Sequence, residues 1–174
     1  MANNSGSPVM LVVVILVCAL VLTGMNMWSE PIVEERELEE HLEALEGFFA
    51  GAADYEEVEI DGITFEEVYD EDGEFLGAVA SYSVEGYSDY IYYRLAISGE
   101  GEIRGIEIDD HDETPDIGGV IEEPEFQEQF EGMPCKEPED VRDLDVVTGA
   151  TKSTEPIIKS AGDVVEAFCN EYMD

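Results

Sequence analysis

Glu56-Glu57-Val58-Glu59-Ile60-Asp61-Gly62-Ile63-Thr64-Phe65-Glu66-Glu67-Val68-Tyr69 decides the fold. Two β-branched and aromatic runs, Glu56–Ile60 and Ile63–Tyr69, flank Asp61-Gly62, a dipeptide that favours the positive φ angles of a tight hairpin. The pattern repeats downstream. Asp72-Gly73 turns into Phe75–Val84, Gly86 breaks the chain before Asp89–Ser98, and Gly99-Glu100-Gly101 turns into Glu102–Ile108. Strands joined by short turns predict an antiparallel meander. Helical spacing appears on both sides of it. Upstream, Leu38, Leu42, Leu45 and Phe48 or Phe49 recur at three- and four-residue steps within Ser29–Phe49, and Gly51 ends that pattern. Downstream, Glu123–Phe130 reads as a short helix and Val146-Val147 as a short buried segment. Thr154–Tyr172 reads as an amphipathic helix with Ile157, Ile158, Ala161, Val164, Val165 and Phe168 on its apolar face. The class is α+β, a sheet flanked by helices.

The 174 residues carry 44 acids against 7 bases, a formal net charge of -37. Nucleic acid is excluded as a partner, because its phosphates would be repelled. Docking on anionic lipid is disfavoured for the same reason. Apolar residues are interleaved with the acids, so the composition predicts a folded domain with an acidic surface. Such a surface repels itself at low salt and is eased by screening, which predicts a protein adapted to a saline medium.

Pro8–Met27 is apolar and uncharged, close to the ~20 residues that span a bilayer, with Trp28 at its end. It lacks the basic start and small-x-small site of a signal peptide, and Val17 precedes Cys18 where a lipoprotein needs a small residue. The reading is a retained single-span anchor. The expected organisation is residues 1–29 with the anchor, 30–53 as a connecting helix, and 54–174 as the folded domain. Cys135 and Cys169 could form one disulfide outside the cytoplasm, but no spacing here suggests zinc or an iron–sulfur cluster. Asp70-Glu71-Asp72-Gly73 echoes the start of a calcium loop without its remainder and reads as a turn. Asp109-Asp110-His111-Asp112-Glu113 has oxygen and imidazole donors that suit a cation, yet carboxylate clusters arise readily in so acidic a chain.

Three segments in order carry a resemblance. Gly86-Tyr87-Ser88-Asp89-Tyr90-Ile91 is similar to a Gly-Tyr-x-Gly-x-Ile element, and the segment Gly105–Gly118, through His111-Asp112-Glu113-Thr114-Pro115, to His-x-Glu-Thr-Pro-Gly-Leu-Gly. Asp145-Val146-Val147-Thr148-Gly149-Ala150-Thr151 has the form Asp-x-x-Ser/Thr-Gly-Ala-Thr. Together they resemble the FMN-binding domain family, found in the G subunit of Rnf complexes and the C subunit of the sodium-translocating NADH:quinone reductase. The resemblance covers essentially the whole chain, and the chain's shortness favours the Rnf member. Asp89 and Asp116 each stand where the pattern has glycine.

The resemblance implies FMN held covalently, by a phosphoester made by a flavin transferase to Thr151. It implies a redox subunit of a membrane-bound, ion-translocating, ferredoxin-linked complex, with iron–sulfur and flavin subunits as partners and the FMN domain on the extracytoplasmic side. Thr148, Gly149, Ala150 and Lys152 would surround the attachment point, and His111, Glu113, Thr114 and Tyr87 would lie near the flavin. The bland readings are that Thr-Gly-Ala-Thr is a turn before a capped helix, and that His111 and Glu113 brace a loop. A different class of function also fits the composition: an anchored extracytoplasmic module that binds cations or partners through its acids and carries no flavin. Surrounding carboxylates would lower the potential of a bound flavin, since they disfavour its anionic reduced form.

Overall fold

The computed structural model describes residues 38–115 and 118–173. The apolar segment 8–27, residues 30–37 of the connecting helix, and Asp116 and Ile117 lie outside the described residues. Among the described residues, no helix is long and apolar enough to cross a membrane. The chain divides into two compact units, Met1–Glu43 and Ala44–Asp174. The described part of the first belongs to a helical stretch, residues 38–46. The second unit holds the sheet.

The meander is present. Strands β1 (Asp54–Ile60), β2 (Ile63–Tyr69), β3 (Phe75–Glu85), β4 (Tyr90–Ser98) and β5 (Ile103–His111) form one antiparallel sheet in sequence order. At the first turn Asp61 has φ 52° and Gly62 φ 82°, the backbone that a right-twisted two-residue hairpin needs. Ile60 therefore pairs with Ile63, and Val58 with Phe65. That register keeps Val58, Ile60, Ile63 and Phe65 in the main hydrophobic cluster. The Asp70 turn closes on itself, with Asp70 Oδ1 accepting the amides of Asp72 and Glu74, each at 2.9 Å.

Beyond β5 come a 3-10 turn (Gly118–Glu122), then α1 (Pro124–Gln127), α2 (Pro138–Arg142) and α3 (Thr151–Tyr172). Helix α3 lays its expected apolar face on the sheet: Ile157, Ile158, Ala161, Val164, Val165 and Phe168 are all buried. They meet Phe65, Ala78, Ala80, Tyr93 and Leu95 in one core. Phe65 and Phe168 rings lie 6.3 Å apart, and Phe75 stacks on Tyr172 at 5.3 Å. Tyr93 is buried, and its hydroxyl pairs with Ser160 Oγ at 2.7 Å. Val68, Val79 and Ala96 are also fully buried, as are Leu45 and Phe49 just upstream of β1. A side chain at Gly77 would strike the Phe49 ring and the Ile97 carbonyl, so the sheet admits Phe49 there only because residue 77 has no Cβ.

Several boundaries differ from the sequence reading. β5 runs three residues further, to His111, so the acidic run begins on a strand rather than in a loop. Helix α1 is one turn, narrower than Glu123–Phe130, with hydrogen-bonded turns carrying the chain on to Gly132. Val146-Val147 is not a buried segment: neither residue is in a strand, and Val146 is exposed. α2 was not foreseen, because five residues rich in charge show no periodicity. Helix α3 starts at Thr151, three residues before the expected Thr154. Cys135 is buried and Cys169 half-buried, and both are free thiols. Burial, and then the neighbouring Cys169, push the Cys135 thiol up to about 12.

Candidate functional site

The first turn of α3 forms one wall of a cleft of about 330 Å³, lined by Tyr87, Glu113, Thr114, Gly118 and Gly149–Ser153. The start of this helix is unusual in its capping. Ala150 occupies the N-cap and supplies no side-chain acceptor, where Ser, Thr, Asp or Asn would normally satisfy a free amide. The amides of Ser153 and Thr154 both reach the Ala150 carbonyl, at 2.9 and 3.0 Å. Those of Thr151 and Lys152 meet no acceptor among the described residues. Two free N–H groups at the positive end of a 22-residue helix attract an anion. Gly149, with φ 95° and open space where a Cβ would be, turns the chain into this helix.

Thr151 is exposed on the rim. Beside it, Lys152 Nζ sits 5.2 Å from the centre of the Tyr87 ring, a cation–π contact. Tyr87 is itself 65% exposed. Lys152 lies within 4 Å of no carboxylate among the described residues, whereas Arg94, Arg104, Arg142 and Lys159 each do.

Glu113 forms the cleft's floor and is only 6% exposed. Its Oε1 accepts the amides of Tyr87 and Ser88, at 2.7 and 3.0 Å, and its Oε2 accepts the Ser153 hydroxyl at 2.7 Å. Burial alone would raise this carboxyl's pKa. The bonds from Ser88, Ser153 and Tyr87 outweigh burial and hold it below the usual carboxylate range. Two glycines make room for it. A Cβ at Gly86 would overlap Oε1, and one at Gly118 would overlap Oε2 and the Glu113 stem.

Seven of the nine expected residues line this cleft: Tyr87, Glu113, Thr114, Gly149, Ala150, Thr151 and Lys152. Thr148 and His111 do not. His111, at the end of β5, uses Nδ1 to accept the Glu113 amide at 3.0 Å. Its Nε2 faces Glu122 Oε1 at 3.3 Å, outside hydrogen-bond geometry. That is the geometry of a loop brace. Sequence reasoning missed the roles of Gly118 and Ser153, whose contacts with Glu113 join residues distant in sequence. The substitution of Asp for glycine at position 89 is accommodated, since Asp89 does not adopt positive φ. Its carbonyl closes the turn by accepting the Gly86 amide at 2.9 Å.

The family model for the FMN-binding domain matches residues 86–166. This segment belongs to the FMN-binding domain family. The match begins at Gly86, the glycine packed on Glu113, and takes in every residue lining the cleft. Over 170 residues the chain is 27% identical to the G subunit of the ion-translocating oxidoreductase complex of Methanosarcina acetivorans, covering 91% of this chain and 90% of that one. The fold resembles the crystal structure of Shewanella oneidensis NqrC, with a TM-score of 0.53 and 20% identity. That likeness covers 64% of this chain and spans 61% of the other. The matched segment takes in β4, β5, the cleft and most of α3, and the sheet continues through β1–β3.

The donor set fits the phosphate end of FMN. A lysine ammonium and two unsatisfied helix amides lie beside an exposed hydroxyl, at the start of a 22-residue helix.

Proposed function

We propose that this chain is the electron-transfer subunit of a membrane-bound, ion-translocating oxidoreductase complex of the Rnf type, carrying FMN as a phosphoester on Thr151. The observation that carries the reading is the exposed Thr151 hydroxyl at a helix start without a side-chain cap, beside a lysine that pairs with no carboxylate among the described residues. The likeness to the methanogen protein over nearly the whole chain supports the same assignment. The reaction is a transfer. The Thr151 oxygen forms a bond to the FMN phosphorus of an activated flavin phosphoanhydride, the anhydride bond breaks, and the nucleotide leaves. The hydroxyl proton goes to a base on the transferase. Lys152 and the amides of Thr151 and Lys152 then hold the phosphoester. Thr114 and Tyr87 border the space for the ring system. The flavin supplies one- and two-electron redox chemistry, and the surrounding acids lower its potential.

On this reading, other redox subunits exchange electrons with the flavin, and residues 8–27 anchor the domain at the extracytoplasmic membrane face. The test is in-gel fluorescence of the denatured chain after co-expression with a flavin transferase. A flavin band that survives denaturation and disappears in Thr151→Ala is the expected result. A chain that takes no flavin but binds calcium tightly would belong to the cation-binding class instead.

A further inference from the structure

Glu113 has a second peculiarity beyond its burial: among the described residues, no lysine or arginine is paired with it. A buried carboxylate is costly unless its lone pairs are met. Here the amides of Tyr87 and Ser88 and the hydroxyl of Ser153 meet them, and the α3 N-terminus adds a favourable dipole. These donors come from two segments remote in sequence. Tyr87 and Ser88 lie in the β3–β4 turn, 26 and 25 residues before Glu113, and Ser153 lies 40 residues after it. Gly86 and Gly118 enclose the carboxylate so closely that neither could carry a side chain. Ser153 is two residues beyond Thr151 in the same helical turn, and Tyr87 is the ring under Lys152.

We propose that Glu113 is a positioning residue, which fastens the Tyr87 turn to the first turn of α3 and so fixes Thr151 and Lys152 in the geometry that flavin attachment requires. It rests on the attachment reading above. Glu113 makes no bond to the flavin in this role, because both of its oxygens are engaged within the protein. Shape and bonding, rather than charge, are what it supplies. A glutamine would serve nearly as well: its carbonyl accepts the two amides and its NH₂ donates to Ser153 Oγ.

The test compares full-length wild type with Ser153→Ala, Glu113→Ala and Glu113→Gln in two measurements. One is hydrogen exchange at the Tyr87 and Ser88 amides of the flavin-free chain. The other is the rate of covalent attachment with purified transferase and FAD, at saturating FAD. Glu113→Ala should speed exchange at both amides by about tenfold or more, as expected when a hydrogen bond to a charged acceptor is lost. Ser153→Ala should lower the unfolding midpoint modestly, since the buried carboxylate loses one donor, and attach flavin about tenfold more slowly, the cost of a loosened geometry. Glu113→Gln should restore both readouts to within about twofold of wild type. Should Glu113→Ala fail to fold, the other two variants decide. Wild-type attachment rates in Ser153→Ala, or no rescue by Glu113→Gln, would overturn the proposal. If the wild type accepts no flavin, the attachment reading falls. The exchange measurement then still decides whether Glu113 fastens the two segments.

Discussion

Arg142 and Lys152 lie ten residues apart and are used in opposite ways. Arg142 is surrounded: Nη1 is 2.8 Å from Glu139, and Nη2 is 2.8 Å from Asp163 and 2.6 Å from Glu166. Its stem lies flat on Gly162, where a Cβ would collide with it. Those carboxylates push its pKa further up. Arg142 therefore joins α2 to α3. Lys152 Nζ lies over the Tyr87 ring and makes no ion pair among the described residues. Among the described bases, Arg94, Arg104, Arg142 and Lys159 reach a carboxylate, whereas Lys136 and Lys152 do not. A lysine held on a tyrosine face, next to unsatisfied amides, leaves its charge available to something brought from outside. On the proposed reading, the difference separates a base that builds the fold from one that serves a ligand.

The broadest challenge to that contrast is salt. Raising ionic strength shortens the screening length from about 10 Å at 0.1 M to about 3 Å at 1 M. The thermal midpoint should climb through this range, because repulsion among the acids weakens more than the close Arg142 contacts do. A midpoint that stays flat in KCl or NaCl would show that the acid surface is not under strain.

Arg142→Ala comes next. Its three exposed pairs contribute modestly each, and the packed stem adds to them, so the loss should be about 1–2 kcal/mol. That corresponds to a fall of roughly 5 °C in the midpoint. Covalent flavin yield should be unchanged.

Much of this was legible in the sequence. Asp61-Gly62 states its own backbone, and the apolar face from Ile157 to Phe168 follows a helical period. What stayed hidden has physical reasons. The start of α3 was misplaced because capping rules look for a hydroxyl or carboxylate, and this helix begins behind Ala150. Pro156, six residues in, also resembles a residue of a first turn; it has no N–H to give the Lys152 carbonyl. Glu113 was placed near the ligand on resemblance, but its partners at Tyr87, Ser88 and Ser153 are too distant in sequence for any local pattern to reveal them. The exposure of Val146 was likewise unreadable, since two adjacent valines look the same in a strand and in a loop.

Lys152→Gln is the complement of the Arg142 variant. Stability should stay within about 0.5 kcal/mol of wild type, as for an exposed side chain without a partner. Flavin attachment should slow several-fold, and most at low salt, where a charge attracts a phosphate over the longest range. Loss of stability without slower attachment would erase the distinction between the two bases.

The smallest effect is in acid. The Glu113 pKa is depressed in the folded state, so its contribution to stability is complete above the unfolded value of about 4.3. It fades as pH falls through the lower folded value. Unfolding midpoints of wild type and Glu113→Gln should therefore differ by a constant amount above about pH 5 and converge below the ordinary carboxylate range. A difference that grows on acidification would mean the carboxylate is not held as described.

The sequence-ordered sheet has a consequence for when the site exists. Each strand pairs with its immediate predecessor, so the hairpins can zip up one after another with short loops to close. The cleft cannot form that way, because Ser153 must return across 40 residues to reach Glu113. On the attachment reading, local pairing of the strands can precede the placing of Thr151. Attachment of flavin would then mark, covalently, those molecules in which the final helix has docked.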